Sequence, residues 1–150
     1  MGTEQENMRH IIRDLFESSC IDENIEVETE LGKVDYVFTS RYKGNFCVNI
    51  VEIKTPSEVR GKQAIDKALR ELLYYSAAIH FHNNYKHCKY YKGYVAIDQL
   101  SFKKGFLKLK VLKDKLNRYG FGLLITDLKT RTAKEKIRPK PKRYRDLGLK

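Results

Sequence analysis

The sequence lacks the features that would place the protein outside the cell or in a membrane. It has no tryptophan and only three cysteines, an odd number at wide spacing that gives no disulfide framework. No apolar run approaches the ~20 residues of a membrane span. The N-terminus also lacks the basic and apolar stretches of a secretory signal. We therefore expect a reduced, cytoplasmic protein without a membrane span.

Charge is unevenly distributed along the chain. The net charge is +11, yet residues 1–33 hold nine acidic and three basic residues, whereas residues 129–150 hold ten basic and two acidic ones. Such a basic segment attracts polyanions, so nucleic acid is the first candidate partner and an anionic membrane surface the second. Nucleic acid is favoured because the basic segment has no apolar stripe to insert into lipid. We predict one folded domain over 1–128 and a basic DNA-binding arm over 129–150.

Hydrophobic periodicity predicts the order helix, three strands, helix, strand, strand. The predicted helices cover 5–19 and 62–79, and the predicted strands cover 25–29, 33–40, 46–54, 93–98 and 121–127. Turn signals at Leu31-Gly32 and Lys43-Gly44-Asn45 join the first three strands as an antiparallel meander. Residues 102–118 alternate like a strand in part and could carry a helix as a whole. The segment after Thr130 is expected to be extended or partly disordered in isolation.

Three polar residues are predicted to meet at one end of this meander. Alternation places Glu52 and Lys54 on one face of the third strand, whose preceding residues are apolar on both faces. Asp35 begins the previous strand, and the antiparallel hairpin brings that start beside the end of the third strand. Two convergent carboxylates suit Mg²⁺, and a nearby lysine can orient water or stabilise charge. This chemistry is typical of phosphodiester hydrolysis, although an ordinary ion pair at a solvated strand end is the simpler alternative.

Two stretches resemble the PD-(D/E)XK nuclease superfamily. They are Val34-Asp35-Tyr36-Val37-Phe38 and Ile50-Val51-Glu52-Ile53-Lys54-Thr55-Pro56. The resemblance extends over roughly residues 8–98 and includes the element order, because the shared core of that superfamily is helix, three strands, helix, strand. Val34 stands where the superfamily's name has a proline, a position that varies widely among its members.

The resemblance implies an α/β fold with a restriction-endonuclease-like core and a mixed sheet. It implies that Asp35 and Glu52 are metal ligands and Lys54 the catalytic lysine, with Mg²⁺ as cofactor and Mn²⁺ as a substitute. The implied activity is endonucleolytic cleavage of double-stranded DNA by a homo-oligomer, a dimer or tetramer, since one active site cuts one strand. The compact chain with added basic segments is similar to homing endonucleases of this class, including the type encoded in cyanobacterial introns.

Other residues are candidates for contacts with DNA or with the metal. The candidate DNA-binding residues lie on the outer face of the second helix and in the basic arm: Gln63, Lys67, Arg70, Arg138, Lys140, Lys142, Arg143 and Arg145. Many members of the superfamily have a carboxylate on the first helix, where Glu4 lies nearest the apolar face. Tyrosines that alternate with lysines over 85–94 could also contact nucleic acid, or could be half-buried with the lysines in water.

Several alternatives remain open at this stage. A Holliday-junction resolvase is the nearest one, and a DNA-binding module without hydrolytic activity is another. A small RNA-binding protein would fit the charge but would leave Asp35 and Glu52 unexplained. Four potential zinc ligands stand close in the sequence, at His80, His82, His87 and Cys88. Their spacing is not that of a common structural zinc site, so we favour a polar loop there.

Overall fold

The computed structural model describes residues 2–59, 62–103 and 107–148, without the side chain of Lys62. Helix α1 begins after Thr3, whose hydroxyl accepts a hydrogen bond from the Glu6 amide at 3.2 Å and caps the helix. The elements are α1 (Glu4–Phe16), β1 (Asp22–Thr29), β2 (Gly32–Tyr42), β3 (Asn45–Lys54), α2 (Lys62–Ala78), β4 (Tyr90–Asp98), α3 (Gln99–Lys103), α4 (Leu109–Tyr119), β5 (Gly122–Asp127), β6 (Thr132–Ile137) and β7 (Lys142–Arg143).

The strands form one mixed sheet in the order β1-β2-β3-β4-β5-β6, and β7 pairs with the first residues of β4. The strands β1, β2 and β3 pair antiparallel, as expected for a meander joined by short turns. The next pairs, β3 with β4 and β4 with β5, are parallel, and β6 returns antiparallel to β5. Strand β3 therefore lies inside the sheet, between an antiparallel and a parallel neighbour.

Helices cover both faces of the sheet. On one face α2 and α4 pack on alternate strand residues that include Val48, Ile50 and Val95. On the other face α1 inserts Met8 and Ile12 among residues of four strands, which include Tyr36, Phe38, Val51, Tyr94 and Leu124. Because β3 is covered on both faces, all of its residues from Cys47 to Lys54 are buried. A strand in that position needs apolar side chains on both faces until it reaches an open end.

The predicted fold class is confirmed by the order of the elements and by the mixed sheet between helices. The first helix ends three residues earlier than predicted, at Phe16. The strands β1 and β4 each begin three residues earlier than predicted, at Asp22 and Tyr90. The ambiguous stretch 102–118 is helical over most of its described length, because Leu112 and Leu116 lie one helical turn apart and are both buried.

Within its described residues, the basic C-terminal segment pairs with β5 and β4 of the sheet, although most of its side chains are exposed. Its residues form β6 and β7, and Tyr144 is only 2% exposed, stacked between His80 and Tyr91. We expected this segment to be extended or partly disordered in isolation, and the difference has a physical reason. Strand β7 pairs with β4, about fifty residues earlier in the chain, and β6 is an edge strand with few apolar residues, so the local pattern reveals neither pairing. DNA binding by residues 129–150 stays a prediction.

The helices of the described residues include none that is long and apolar enough to cross a membrane.

Replacement of Tyr144 tests whether the C-terminal segment stabilises the fold. Tyr144→Ala should lower the free energy of unfolding by about 3 kcal/mol, because a buried aromatic ring is lost. Tyr144→Phe is the matched control, and it should stay within about 1 kcal/mol of the wild type because the hydroxyl has no hydrogen-bond partner among the described residues. Urea unfolding measures both. A Tyr144→Ala protein as stable as the wild type would show that the segment is not part of the cooperative unit.

Candidate active site

The candidate site lies at the end of the sheet where β2 and β3 separate. Their ladder runs from the pair Tyr42–Asn45 to the pair Tyr36–Val51. Asp35 and Glu52 come one step beyond that last pair. Strand β3 still pairs with β4 here, as far as Lys54. The site is therefore held on one side by a continuous parallel ladder, while on its other side the ladder between β2 and β3 has ended.

Asp35 is fixed by two hydrogen bonds. Its Oδ2 atom accepts from the Ile53 backbone amide at 2.7 Å, in place of the strand partner that the amide would otherwise have. Its Oδ1 atom accepts from the Gln5 side-chain amide on α1, also at 2.7 Å. Burial raises the pKa of Asp35, and the hydrogen bond from Ile53 opposes that increase. These contacts hold the carboxyl group against the end of β3.

Glu52 is the most perturbed acid at this site. Glu52 is only 4% exposed, and its Oε2 atom has no hydrogen-bond partner among the described residues. The pKa of Glu52 is raised to about 10. Burial is the main cause and repulsion from Asp35 the next, while attraction to Lys54 opposes the increase. An unsatisfied buried carboxyl oxygen destabilises a fold, so this oxygen is a candidate donor to a bound ligand.

Asp98 shows how a buried carboxylate with a structural role differs from Glu52. It lies at the end of the neighbouring strand β4 and is 3% exposed. Its Oδ1 atom accepts hydrogen bonds from the Thr126 hydroxyl at 2.7 Å and the Leu128 amide at 3.0 Å, and Oδ2 accepts from the Leu100 amide at 3.1 Å. Asp98 thus organises the turns around it. Glu52 has a similar burial, but its carboxyl group faces a second acid, Asp35, and its Oε2 atom has no partner among the described residues, which points to a functional role.

Lys54 lies between two carboxylates. Its Nζ atom is 3.6 Å from Glu52 Oε1 and 3.8 Å from Glu71 Oε1 of α2. Lys67, one turn earlier on α2, also approaches Glu71 Oε1 at 3.9 Å. The side chain of Lys54 is 9% exposed. Its ammonium is therefore kept between Glu52 and Glu71 rather than extended into solvent.

Tyr75 lies against the same acids and against the turn that precedes β2. Burial raises the pKa of its phenol to about 12, with smaller contributions from Glu52, Glu71 and Asp35. A side chain on Gly32 would place a Cβ atom 2.9 Å from the Tyr75 hydroxyl, and the Gly32 φ angle of +129° already favours glycine. The glycine turn between β1 and β2 therefore allows Tyr75 to reach the acidic site.

The structure brings Asp35, Glu52 and Lys54 together and places the other candidate residues elsewhere. The acidic candidate on α1, Glu4, accepts a hydrogen bond from the Ser57 hydroxyl at 2.6 Å instead of lying beside Asp35. On α2 the candidates Gln63, Lys67 and Arg70 line a cleft toward α4. The roles of all these residues stay predictions.

The basic candidates of the C-terminal segment differ in their surroundings. Lys142 donates a hydrogen bond to the Tyr119 carbonyl at the end of α4, and burial lowers the pKa of its ammonium. Arg138 pairs with Glu135 at 3.4 Å, and Arg143 pairs with Asp146 at 3.3 Å. The remaining two, Lys140 and Arg145, are exposed. Lys142 therefore already has a structural partner, whereas the others remain at the surface.

Three residues of the site were not predicted from the sequence: Gln5, Glu71 and Tyr75. Gln5 was missed because we considered only carboxylates on the first helix. Glu71 and Tyr75 flank the predicted core stripe of α2, so they could have been found by projecting that helix and asking which side faces the end of β3.

The four potential zinc ligands have separate environments. His80 stacks on Tyr144, and His82 accepts a hydrogen bond from the Asn84 amide at 3.2 Å. His87 and Cys88 approach each other at 3.9 Å between Nε2 and Sγ. Within residues 2–59, 62–103 and 107–148, no group of three or more histidine, cysteine or acidic side chains is arranged to hold a metal ion.

The chain is similar in structure to several solved proteins. An XisH family protein from Nostoc punctiforme matches with a TM-score of 0.54 and 16% identity, over 89% of this chain and 98% of that one. An fdxN element excision controlling factor protein from Anabaena variabilis matches with a TM-score of 0.49 and 16% identity, over 87% and 97%. A repair endonuclease from Pyrococcus abyssi matches with a TM-score of 0.49 and 14% identity, over 93% and 49%.

At these identities we take from the comparisons only the fold that the chain shares with the Nostoc protein. No protein-family model matches the sequence, and no curated protein sequence matches it.

The pKa of Glu52 predicts a distinctive dependence of stability on pH. Unfolded Glu52 ionises near pH 4.3, whereas folded Glu52 keeps its proton up to about 10. The unfolded state therefore binds fewer protons in between, and stability falls as the pH rises through this window. Glu52→Gln removes this loss of stability at high pH. At pH 8 without metal, its free energy of unfolding should therefore exceed that of the wild type by at least about 1 kcal/mol.

Urea unfolding of both proteins at pH 5 and pH 8 in EDTA measures this effect. Glu28→Gln is the control, because the Glu28 side chain is 77% exposed. A stability difference between Glu52→Gln and the wild type that is the same at both pH values would contradict the assignment of Glu52 as a buried, protonated acid.

Proposed function

We propose that the chain is a metal-dependent DNA endonuclease of the PD-(D/E)XK class that hydrolyses phosphodiester bonds in double-stranded DNA. The observation that carries the proposal is the buried Glu52 carboxyl, with one unpaired oxygen, beside Asp35 and Lys54 at the open end of β3. Burial of two acids and a lysine in this way disfavours folding, and a binding role gives a reason for it.

The residues at the site fit a magnesium ion better than zinc. The available donors are carboxylate oxygens, and Mg²⁺ is commonly held by one or two carboxylates with water and substrate phosphate in the other positions. Asp35 and Glu52 would hold the ion, and Mn²⁺ would substitute. Bound there, the ion would lower the pKa of the attacking water and neutralise charge that develops on the phosphate.

The remaining residues of the site position these groups. Gln5 and the Ile53 amide keep the Asp35 carboxyl turned toward β3. Glu71 holds the Lys54 ammonium beside Glu52, where it can donate hydrogen bonds to a phosphate oxygen or to the attacking water.

The finer assignment is also part of the proposal. We propose a site-specific enzyme of the homing or restriction type that acts as a dimer or tetramer, since each active site cuts one strand. A resolvase of four-way junctions would use the same chemistry, and a DNA-binding module would use none. These alternatives differ in which DNA they cleave.

Cleavage of a panel of linear genomic DNA and four-way junctions tests the proposal. With Mg²⁺ the wild type should give discrete fragments that disappear in EDTA, and Lys54→Ala should lower the rate at least about 100-fold, as for loss of one charge-stabilising donor. Lys43→Ala, at the opposite end of the sheet, should cleave normally. Cleavage restricted to junctions would select the resolvase. If all substrates stay intact while the protein binds DNA, the hydrolytic proposal fails.

Glu71→Gln separates positioning of Lys54 from substrate binding. The variant removes one of the two carboxylates beside the ammonium, so kcat should fall about 10-fold, which corresponds to about 1.4 kcal/mol of barrier. KM for DNA should not rise, because Glu71 is an acid and does not itself bind phosphate. Steady-state kinetics with a cleavable duplex measures both constants. An unchanged kcat would exclude a role for Glu71 in positioning Lys54.

A further inference from the structure

A basic cleft lies between α2 and α4, beside the acidic site. Its volume is about 620 Å³. Four cations line it: Lys67 and Arg70 come from α2, and Lys115 and Arg118 come from α4. Gln63 and Tyr119 add polar and aromatic groups, which suits an anionic polymer better than an apolar ligand.

The charges of the cleft are only partly neutralised by the protein. Asp66 is the one acid among its lining residues, and it pairs with Lys115 at 2.6 Å across the cleft. Arg70 and Arg118 are exposed, and neither has an ion pair with a described residue. Two free guanidinium groups on facing helices can each bind a phosphate through paired N–H donors.

Lys67 links the cleft to the candidate active site. Lys67 lines the cleft and also approaches Glu71, which in turn pairs with Lys54. The lining residues of α2 extend from Gln63 to Leu73, a length of ~15 Å at 1.5 Å per residue. The cleft is therefore long enough to contact more than one phosphate of a DNA strand.

We propose that the cleft between α2 and α4 binds the sugar-phosphate backbone of a DNA duplex next to the phosphate that is cleaved. This inference rests on the proposed function and names the surface that holds its substrate. It assigns Lys115 and Arg118 of α4 to DNA binding together with Arg70 and Lys67. The contacts are to phosphate, so they position the duplex on the protein and carry no base recognition.

The salt dependence of binding tests the proposal without cleavage. Fluorescence anisotropy of a labelled duplex in EDTA gives the slope of log K against log salt concentration. The double variant Arg70→Gln, Arg118→Gln should reduce the magnitude of this negative slope by about 1.8, which is about 0.9 for each lost phosphate contact. The double variant Arg70→Lys, Arg118→Lys keeps both charges, so its slope should stay close to that of the wild type.

The matched control removes two charges elsewhere. Arg41 and Lys43 are exposed, and they lie beside the turn between β2 and β3 at the end of the sheet opposite Glu52. Arg41→Gln, Lys43→Gln should leave the slope unchanged. Equal slopes for the two glutamine variants, or a wild type that does not bind the duplex, would overturn the proposal. If the cleft variant lowers the slope but the wild type cleaves no DNA, the cleft stands and the nuclease assignment fails.

Discussion

Burial of the Glu52 carboxyl is the constraint on which this end of the molecule depends. Strand β3 is covered on both faces, so the charged residues at its end have little contact with water. Asp98 on the adjacent strand shows that the fold can satisfy a buried acid completely with three hydrogen bonds. Glu52 instead keeps an unpaired oxygen beside a second acid. Such an arrangement lowers the stability of the folded state, as is common at functional sites.

The elements around Glu52 hold its buried carboxyl group and the neighbouring polar groups in place. The ladder between β2 and β3 ends one step before Asp35 and Glu52, which opens a gap without exposing the core. Helix α1 supplies Gln5 to Asp35, and α2 supplies Glu71 to Lys54. The two helices therefore stabilise the sheet and orient the polar groups at its end. The cleft on the far side of α2 adds cations where an extended anionic substrate would continue.

The sequence predicted the centre of the site because its signals are local. Two turns join three consecutive strands, so alternation alone indicates that Glu52 and Lys54 share a face and that Asp35 lies near the start of the neighbouring strand. Gln5, Glu71 and Tyr75 could not be assigned in this way, because their contacts depend on how α1 and α2 cross the sheet. The packing of the C-terminal segment was missed for a related reason: β7 pairs with β4, about fifty residues earlier in the chain.

Binding of Mg²⁺ or Mn²⁺ to the purified protein tests the central claim most directly. Isothermal titration calorimetry should show one ion bound per chain in the wild type and in Lys54→Ala, because the lysine is not a ligand. Asp35→Asn and Glu52→Gln should each weaken binding by about 10-fold or more, since each removes an anionic oxygen. Affinity for the ion that is unchanged in Glu52→Gln would contradict the account, because the buried acid would then have no role in holding a metal.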